Sequence, residues 1–128
     1  RCEEAEEAWI AAKRHRPIDW AWHDARRIEV APWLAGCWAE RAANDAEDAV
    51  QHLARAHRWD HTHPALSSVG AALGERLWQE GLAAREAGDA SIAYQRFADL
   101  LRFQPWRSWA RRYAEEARDE RLGITGLD

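Results

Sequence analysis

The chain has 128 residues, a formal net charge of −4 and a hydrophobic fraction of 47%, which allow one domain or a short array of about three repeated units. The acidic balance and the lack of a basic stripe argue against a nucleic-acid partner, because phosphate contacts need clustered positive charge. No apolar run in the sequence is long enough to span a membrane, so we expect a soluble protein of the bacterial cytoplasm or periplasm.

Helical spacing of apolar residues begins close to the start of the chain. It predicts a first helix over 2–15 that ends at Pro17. Asp19 is suited to cap a second helix. Because Pro32 is disfavoured inside a helix but fits a first turn, we expect it to separate the second helix from a third over about 33–43.

The rest of the chain continues the helical pattern. Asp45 is suited to cap another helix, and a longer one follows over 65–87. Gly88 begins the turn to the next helix, and a last helix over about 107–121 ends at Gly123. Because no strand pattern competes anywhere, the sequence predicts an all-α fold.

Three stretches of the sequence align at a fixed interval of 44 residues. The aligned positions are Ala5, Ala49 and Ala93; Trp9, Leu53 and Phe97; Ala12, Ala56 and Leu100; and Arg14, Arg58 and Arg102. Helical repeats of about this length are typical of α-solenoids, in which each unit buries its apolar face against its neighbours. We expect Phe97 to be the central core residue of the best-formed unit.

Residues 77–105 carry a second pattern, made of a large and a small apolar residue on one helix and a small residue, an aromatic residue and a proline on the next. These positions are Leu77, Gly81, Ala93, Phe97 and Pro105, with Gly88 and Asp89 in the turn. The pattern resembles a tetratricopeptide repeat with an unusual 44-residue period. The resemblance implies antiparallel helix hairpins stacked as a short α-solenoid.

The resemblance also divides the chain as a single α-helical repeat domain over 1–128. A partial unit covers 1–17, two units cover 18–61 and 62–105, and a capping helix covers 106–123. Gly70 and Gly74 leave one face of their helix flat, so we expect a neighbouring helix to approach closely there.

In tetratricopeptide arrays the first helix of each repeat lines an inner groove. The resemblance places six residues of this chain there: Leu34, Trp38, Arg41, Trp78, Leu82 and Arg85. An apolar, aromatic surface with one arginine per unit suits an extended peptide that carries acidic groups. The sequence therefore predicts a non-catalytic interaction or scaffold module with a protein or peptide partner.

Two alternatives to a peptide-binding module remain open. The partial unit lacks a first helix, and a solenoid without a polar cap can stack on copies of itself into an oligomer or filament. The chain contains no methionine and begins with Arg1, so we expect it to be a processed product or a piece of something longer. It can then be the soluble tail of a larger membrane protein or enzyme.

The nine tryptophans of the chain have two interpretations. Trp9 and Trp33 occupy core positions of the repeat that the chain resembles. The others either fill space between alanine-rich helices or are exposed binding anchors: Trp20, Trp22, Trp38, Trp59, Trp78, Trp106 and Trp109. Seventeen arginines against the single Lys13 indicate coding bias in a GC-rich genome, with selection of arginine for carboxylate recognition as the alternative.

Two cysteines are too few for a disulfide framework, and we expect Cys37 to be a small core residue. Neither Cys2 nor Cys37 belongs to a CxxC pair, so the redox compartment stays undecided.

The sequence predicts no catalytic, cofactor or metal site. His57 and His61 lie one helical turn apart and His63 follows, but no cysteine or glutamate is placed to complete a metal site. The glutamates at 3, 4, 6 and 7 are expected to form an outward helix face. No nucleophile elbow or phosphate-binding glycine loop occurs in the sequence, so we expect no enzyme activity.

Overall fold

The computed structural model describes residues 1–15 and 19–123, which form six α-helices and no β-strand. The helices are α1 (Cys2–His15), α2 (Trp20–Asn44), α3 (Ala49–Trp59), α4 (Pro64–Glu86), α5 (Ala90–Leu101) and α6 (Ser108–Arg121). The predicted all-α fold is confirmed. Pro17, the predicted end of the first helix, lies outside the described residues. None of the helices in the described part is both long and apolar enough to pass through a membrane.

The chain groups into two compact units, Arg1–Ser68 and Val69–Asp128. In the first unit α2 packs against both α1 and α3, and in the second unit α5 packs against α6. The boundary between the units lies inside α4, a few residues after the predicted boundary between 61 and 62. The division into stacked repeats of a single domain stays a prediction.

The path of α2 differs from the sequence prediction at Pro32. The helix continues through this proline to Asn44, so the expectation of a separate helix over 33–43 is wrong. Proline cannot donate a hydrogen bond to the carbonyl of Ile28 one turn earlier, and its ring crowds that carbonyl. Ile28 is 75% exposed, so water can replace the missing donor there. Burial of Ala31 and Leu34 on either side of the proline stabilises the continuous helix.

Two aspartates at helix ends have different roles from one another. Asp19 caps α2 as predicted, because its Oδ1 accepts a hydrogen bond from the backbone N–H of Trp22 at 3.0 Å. Asp45 ends α2 instead of beginning α3, and α3 starts after Asp48. The Asp45 carboxylate accepts from the Asp48 backbone N–H at 3.4 Å, so it stabilises the turn between the two helices.

The turn between α4 and α5 depends on a glycine. Gly88 has a φ of +76°, which side chains other than glycine adopt only at a cost. Its N–H donates to the carbonyl of Arg85, and the N–H of Asp89 donates to the carbonyl of Ala84. These two bonds form a Schellman motif that closes α4. Asp89 then caps α5 by accepting from the N–H of Ile92 at 3.1 Å.

A disulfide joins Cys2 of α1 to Cys37 of α2 across a sequence separation of 35 residues. Cys2 is buried, but Cys37 is half-buried and disulfide-bonded, so the expectation that Cys37 is a small core residue is wrong. The bond fixes the first turn of α1 to the middle of α2. The first unit thus combines this crosslink with a fully buried core that contains Leu34, Ala35, Trp38, Ala39, Leu53 and Ala56.

The core of the second unit is built around Phe97, which is fully buried and confirms the predicted core position. Gly81 of α4 lies against it so closely that an added Cβ would be 2.6 Å from the Phe97 ring. At Gly70 and Gly74 an added Cβ would similarly meet the ring of Phe103 or the amide of Gln104. A close approach at these two glycines is observed, but it comes from the turn after α5 and not from a neighbouring helix as predicted.

Candidate functional site

The structure separates the predicted groove residues of the first unit. Leu34 and Trp38 are fully buried, so the prediction that they line an open groove is wrong. Both lie on the side of α2 that packs in the core, and the Trp38 ring stacks on His52 with 5.4 Å between ring centroids. Arg41 remains partly exposed but forms an ion pair with Glu3. Of the three predicted groove residues in this unit, only Arg41 is accessible to a partner, and it is already paired with Glu3.

The predicted groove residues of the second unit are more accessible. Trp78 and Leu82 are half-buried and Arg85 is exposed. The guanidinium of Arg85 lies over the Tyr113 ring at 4.4 Å and is 3.6 Å from the Glu116 carboxylate. Whether these three residues bind a partner stays a prediction, but Arg85 is already paired with a glutamate of its own unit.

A half-buried carboxylate, missed by the sequence analysis, connects the three helices of the first unit. Glu6 of α1 accepts hydrogen bonds from the indole N–H groups of Trp38, at 3.0 Å, and Trp59. Its second oxygen lies 3.9 Å from Arg55. With the Arg41 ion pair of Glu3, this network shows that only part of the predicted outward glutamate face is free. No sequence signal marks these pairings, because their partners are 32 to 53 residues apart.

A second feature of the first unit is an apolar groove of about 570 Å³ between α1 and α2, here named the tryptophan groove. It is lined by Ala5, Ala8, Trp9, Ala12, Trp22, Arg26, Glu29, Val30 and Trp33. Trp9 is buried as predicted and stacks on Trp22 with centroids 6.0 Å apart. Trp33 is 59% exposed, which corrects its predicted core position. At 100° per residue, Trp33 lies opposite the buried Trp38 on α2.

The sequence contains a signal for the tryptophan groove that the repeat alignment did not use. Trp22, Arg26, Val30 and Trp33 recur at helical spacing and form a stripe along α2. Interpreting this stripe requires knowing that α2 is continuous through Pro32. A helix break at Pro32 would instead place the residues on its two sides in separate helices.

A third feature is a pocket of about 350 Å³ between α1, α2 and α3, here named the arginine pocket. It is lined by Glu6, Ile10, Arg27, Arg55, Arg58 and Trp59. The guanidinium of Arg27 lies over the Trp59 ring at 5.5 Å, and that of Arg55 lies over the Trp38 ring at 4.5 Å. The sequence marks Arg58 only as a repeat position, and its pattern does not predict the convergence of the three arginines.

Potential metal ligands also meet in the first unit. Asp45, Asp48 and His52 place one ligand atom each within 4.8 Å of one another, whereas the sequence predicts no metal site. His52 Nε2 and Asp45 Oδ2 are 3.2 Å apart, and this hydrogen bond lowers the pKa of Asp45. The contact ties the turn after α2 to α3, which explains the cluster without an ion.

The ion pair of Glu3 with Arg41 makes stability depend on pH. The hydrogen bond from Arg41 lowers the pKa of Glu3 below its ordinary value of 4.5. Well above pH 4.5 the carboxylate is ionised in both states and the contribution is complete. As the pH falls from 4.5 through the lowered pKa, the unfolded state binds its proton first and the contribution is lost.

We therefore expect the stability difference between the parent chain and Glu3→Gln to be present at pH 6 and to disappear in acid below the lowered pKa of Glu3. Urea unfolding at a series of pH values measures it. Glu4→Gln is the matched control, because Glu4 is exposed on the same turn. A difference that is constant with pH would show that the ion pair does not contribute.

Comparisons with protein-family models, with curated proteins and with solved structures find no match to this chain. The resemblance to tetratricopeptide repeats therefore depends on the sequence pattern alone.

Proposed function

We propose that the chain is a non-catalytic protein-interaction module whose tryptophan groove binds an amphipathic helix of a partner protein. The observation that carries this proposal is the accessible, apolar lining of the groove, with Trp33 59% exposed at its wall. Tryptophan is prominent among residues that dominate binding energy, because it buries a large area at a low cost in conformational entropy.

The shape of the groove supports a helical partner. Ala5, Ala8 and Ala12 form a flat stripe on α1, and the stripe from Trp22 to Trp33 forms the other wall on α2. The stripe on α1 extends over about 10 Å of helix axis and the wall on α2 over about 16 Å, which are the lengths of about two and three helical turns. Small residues beside large aromatic ones allow a third helix to pack closely against both helices.

The charges around the groove favour selection by apolar shape. Arg26 and Glu29 form an ion pair at 2.8 Å, so the rim presents both signs in balance. The prediction of an acidic peptide partner depends on Arg41 and Arg85. Both arginines are paired with glutamates of their own units. We therefore assign the apolar face of an amphipathic helix, instead of an acidic extended peptide, to this groove.

A non-catalytic role agrees with the chemistry of the described side chains. Both cysteines are joined in the disulfide, so neither supplies a thiol nucleophile. The half-buried carboxylate of Glu6 is occupied by two indole N–H donors.

Selection from a displayed library of amphipathic helical peptides tests the proposal. We expect peptides that bind the parent chain to lose about 30-fold in affinity with Trp33→Ala, which corresponds to a hot spot of about 2 kcal/mol. Trp106→Ala is the matched control, since Trp106 is 57% exposed and lies in the second unit. Circular dichroism verifies that both variants stay helical.

Two outcomes would overturn the proposal. The first is selected peptides that bind Trp33→Ala as well as the parent chain, because the groove would then not be their site. The second is a concentration-dependent dimer of the parent chain, seen by sedimentation and abolished by Trp33→Ala. In that case the groove is occupied by a second copy of the chain.

A further inference from the structure

The arginine pocket gathers positive charge from two helices into a small space. Arg27 comes from α2, and Arg55 and Arg58 come from α3, against one carboxylate, that of Glu6. Within the described part of the chain, Arg27 and Arg58 form no ion pair. Their charges therefore lack a local counterion, although the chain as a whole has a net charge of −4.

The carboxylate of Glu6 does not neutralise these two arginines. One of its oxygens accepts from the indole N–H groups of Trp38 and Trp59, and the other lies 3.9 Å from Arg55. Glu6 thus orients the indole of Trp59 and compensates Arg55. The remaining two guanidinium groups are available to an anion from solution.

An aromatic contact holds Arg27 in place before a ligand arrives. Arg27 lies over the face of Trp59 at 5.5 Å, and a guanidinium held against an indole keeps N–H donors along its edge. Less side-chain entropy is lost on binding when the donors are already positioned. Ile10, which is 47% exposed, adds an apolar surface beside Trp59.

We propose that the arginine pocket binds a small organic anion with a carboxylate or phosphate group. Arg27 and Arg58 donate to the oxyanion, and the apolar part of the ligand packs on Ile10 and Trp59. The volume of about 350 Å³ matches a ligand of this kind. This site goes beyond the proposed function, because no residue is shared between the arginine pocket and the tryptophan groove.

Nuclear magnetic resonance of the ¹⁵N-labelled chain tests the site through the indole N–H signal of Trp59, assigned by its loss in Trp59→Phe. The probes are benzoate, phenyl phosphate, inorganic phosphate and, as a neutral control, benzyl alcohol. We expect the two aromatic anions to shift the signal and benzyl alcohol to leave it unchanged. Inorganic phosphate should bind more weakly, because it lacks the apolar contact. Raising the salt concentration should weaken the binding of every anion.

Two variants on different helices locate the binding. We expect Arg27→Gln and Arg58→Gln each to lower the affinity for benzoate or phenyl phosphate by about tenfold or more, because each removes a charged hydrogen-bond donor. Arg102→Gln is the matched control, since Arg102 is exposed and occupies the same repeat position as Arg58. Trp33→Ala should bind the anions normally, which separates failure of this site from failure of the tryptophan groove.

Three results would overturn the proposal. One is equal shifts with benzyl alcohol and benzoate, which would indicate apolar binding without charge recognition. Another is unchanged affinity in both arginine variants. The third is much tighter binding of a glutamate-rich peptide that displaces the small anions, because the natural ligand would then be an acidic segment of a protein.

Discussion

Replacing Phe97 with alanine is expected to lower the free energy of unfolding by about 3–5 kcal/mol. Phe97 is fully buried, and its ring contacts Trp78 and Tyr113 with centroids 5.6 Å away in each case. Gly81 of α4 has no side chain that could move into the space left by the ring. A cavity would therefore remain, and its cost adds to the lost hydrophobic transfer energy. The loss is a large part of the roughly 5–15 kcal/mol typical of a whole domain.

The location of the effect is as informative as its size. Hydrogen exchange on Phe97→Ala should show loss of protection concentrated beyond Ser68, because the residue belongs to the second compact unit. Ile92→Ala on the same helix is the control. Ile92 is 41% exposed, so we expect its truncation to cost less than about 1 kcal/mol.

Two results would contradict this prediction. A loss below about 1 kcal/mol for Phe97→Ala would show that the ring is not buried. Uniform loss of protection along the chain would indicate a single cooperative bundle and would remove the basis for the repeat interpretation.

Removal of the disulfide is the second change with a large expected effect. Replacing both Cys2 and Cys37 with serine should destabilise the chain by about 3–4 kcal/mol, since the bond closes a loop with a sequence separation of 35 residues and restricts the unfolded state accordingly. The first turn of α1 is expected to be the most affected. The Glu3–Arg41 ion pair lies in this turn, and the Glu6 contacts follow one turn later.

Urea unfolding with and without a thiol reductant measures the contribution of the bond. The parent chain should become less stable when reduced, and the double serine variant should show no response to reductant. Counting the thiols that react with iodoacetamide before reduction provides an independent check that the disulfide is formed. Full alkylation of the protein under oxidising conditions would show that the cysteines do not pair.

The sequence alone does not predict either the tryptophan groove or the arginine pocket, for different reasons. The stripe from Trp22 to Trp33 is present in the sequence, but it becomes a single wall only because α2 passes through Pro32. The arginine pocket has no linear signature at all, since Arg27 and Arg58 belong to helices joined by a turn. Their convergence depends on the packing of α2 against α3 and on the contact of Arg27 with Trp59.

Three features can be predicted from the amino-acid sequence alone: the helical class, the ends of α4 and α6, and the burial of Phe97. These depend on local physics: apolar spacing of 3.6 residues, the positive φ of Gly88 and Gly123, and a large apolar residue opposite a glycine.

The packing of the helices determines which face of α2 is buried, and with it the exposure of Trp33 and the burial of Trp38. Helix packing also determines the pairing of Cys2 with Cys37 and the partners of Glu6. Each of these depends on which helices become neighbours, and residues distant in sequence meet only when their helices pack. A helical pattern predicts that an apolar face will be covered, but it does not specify which helix covers it.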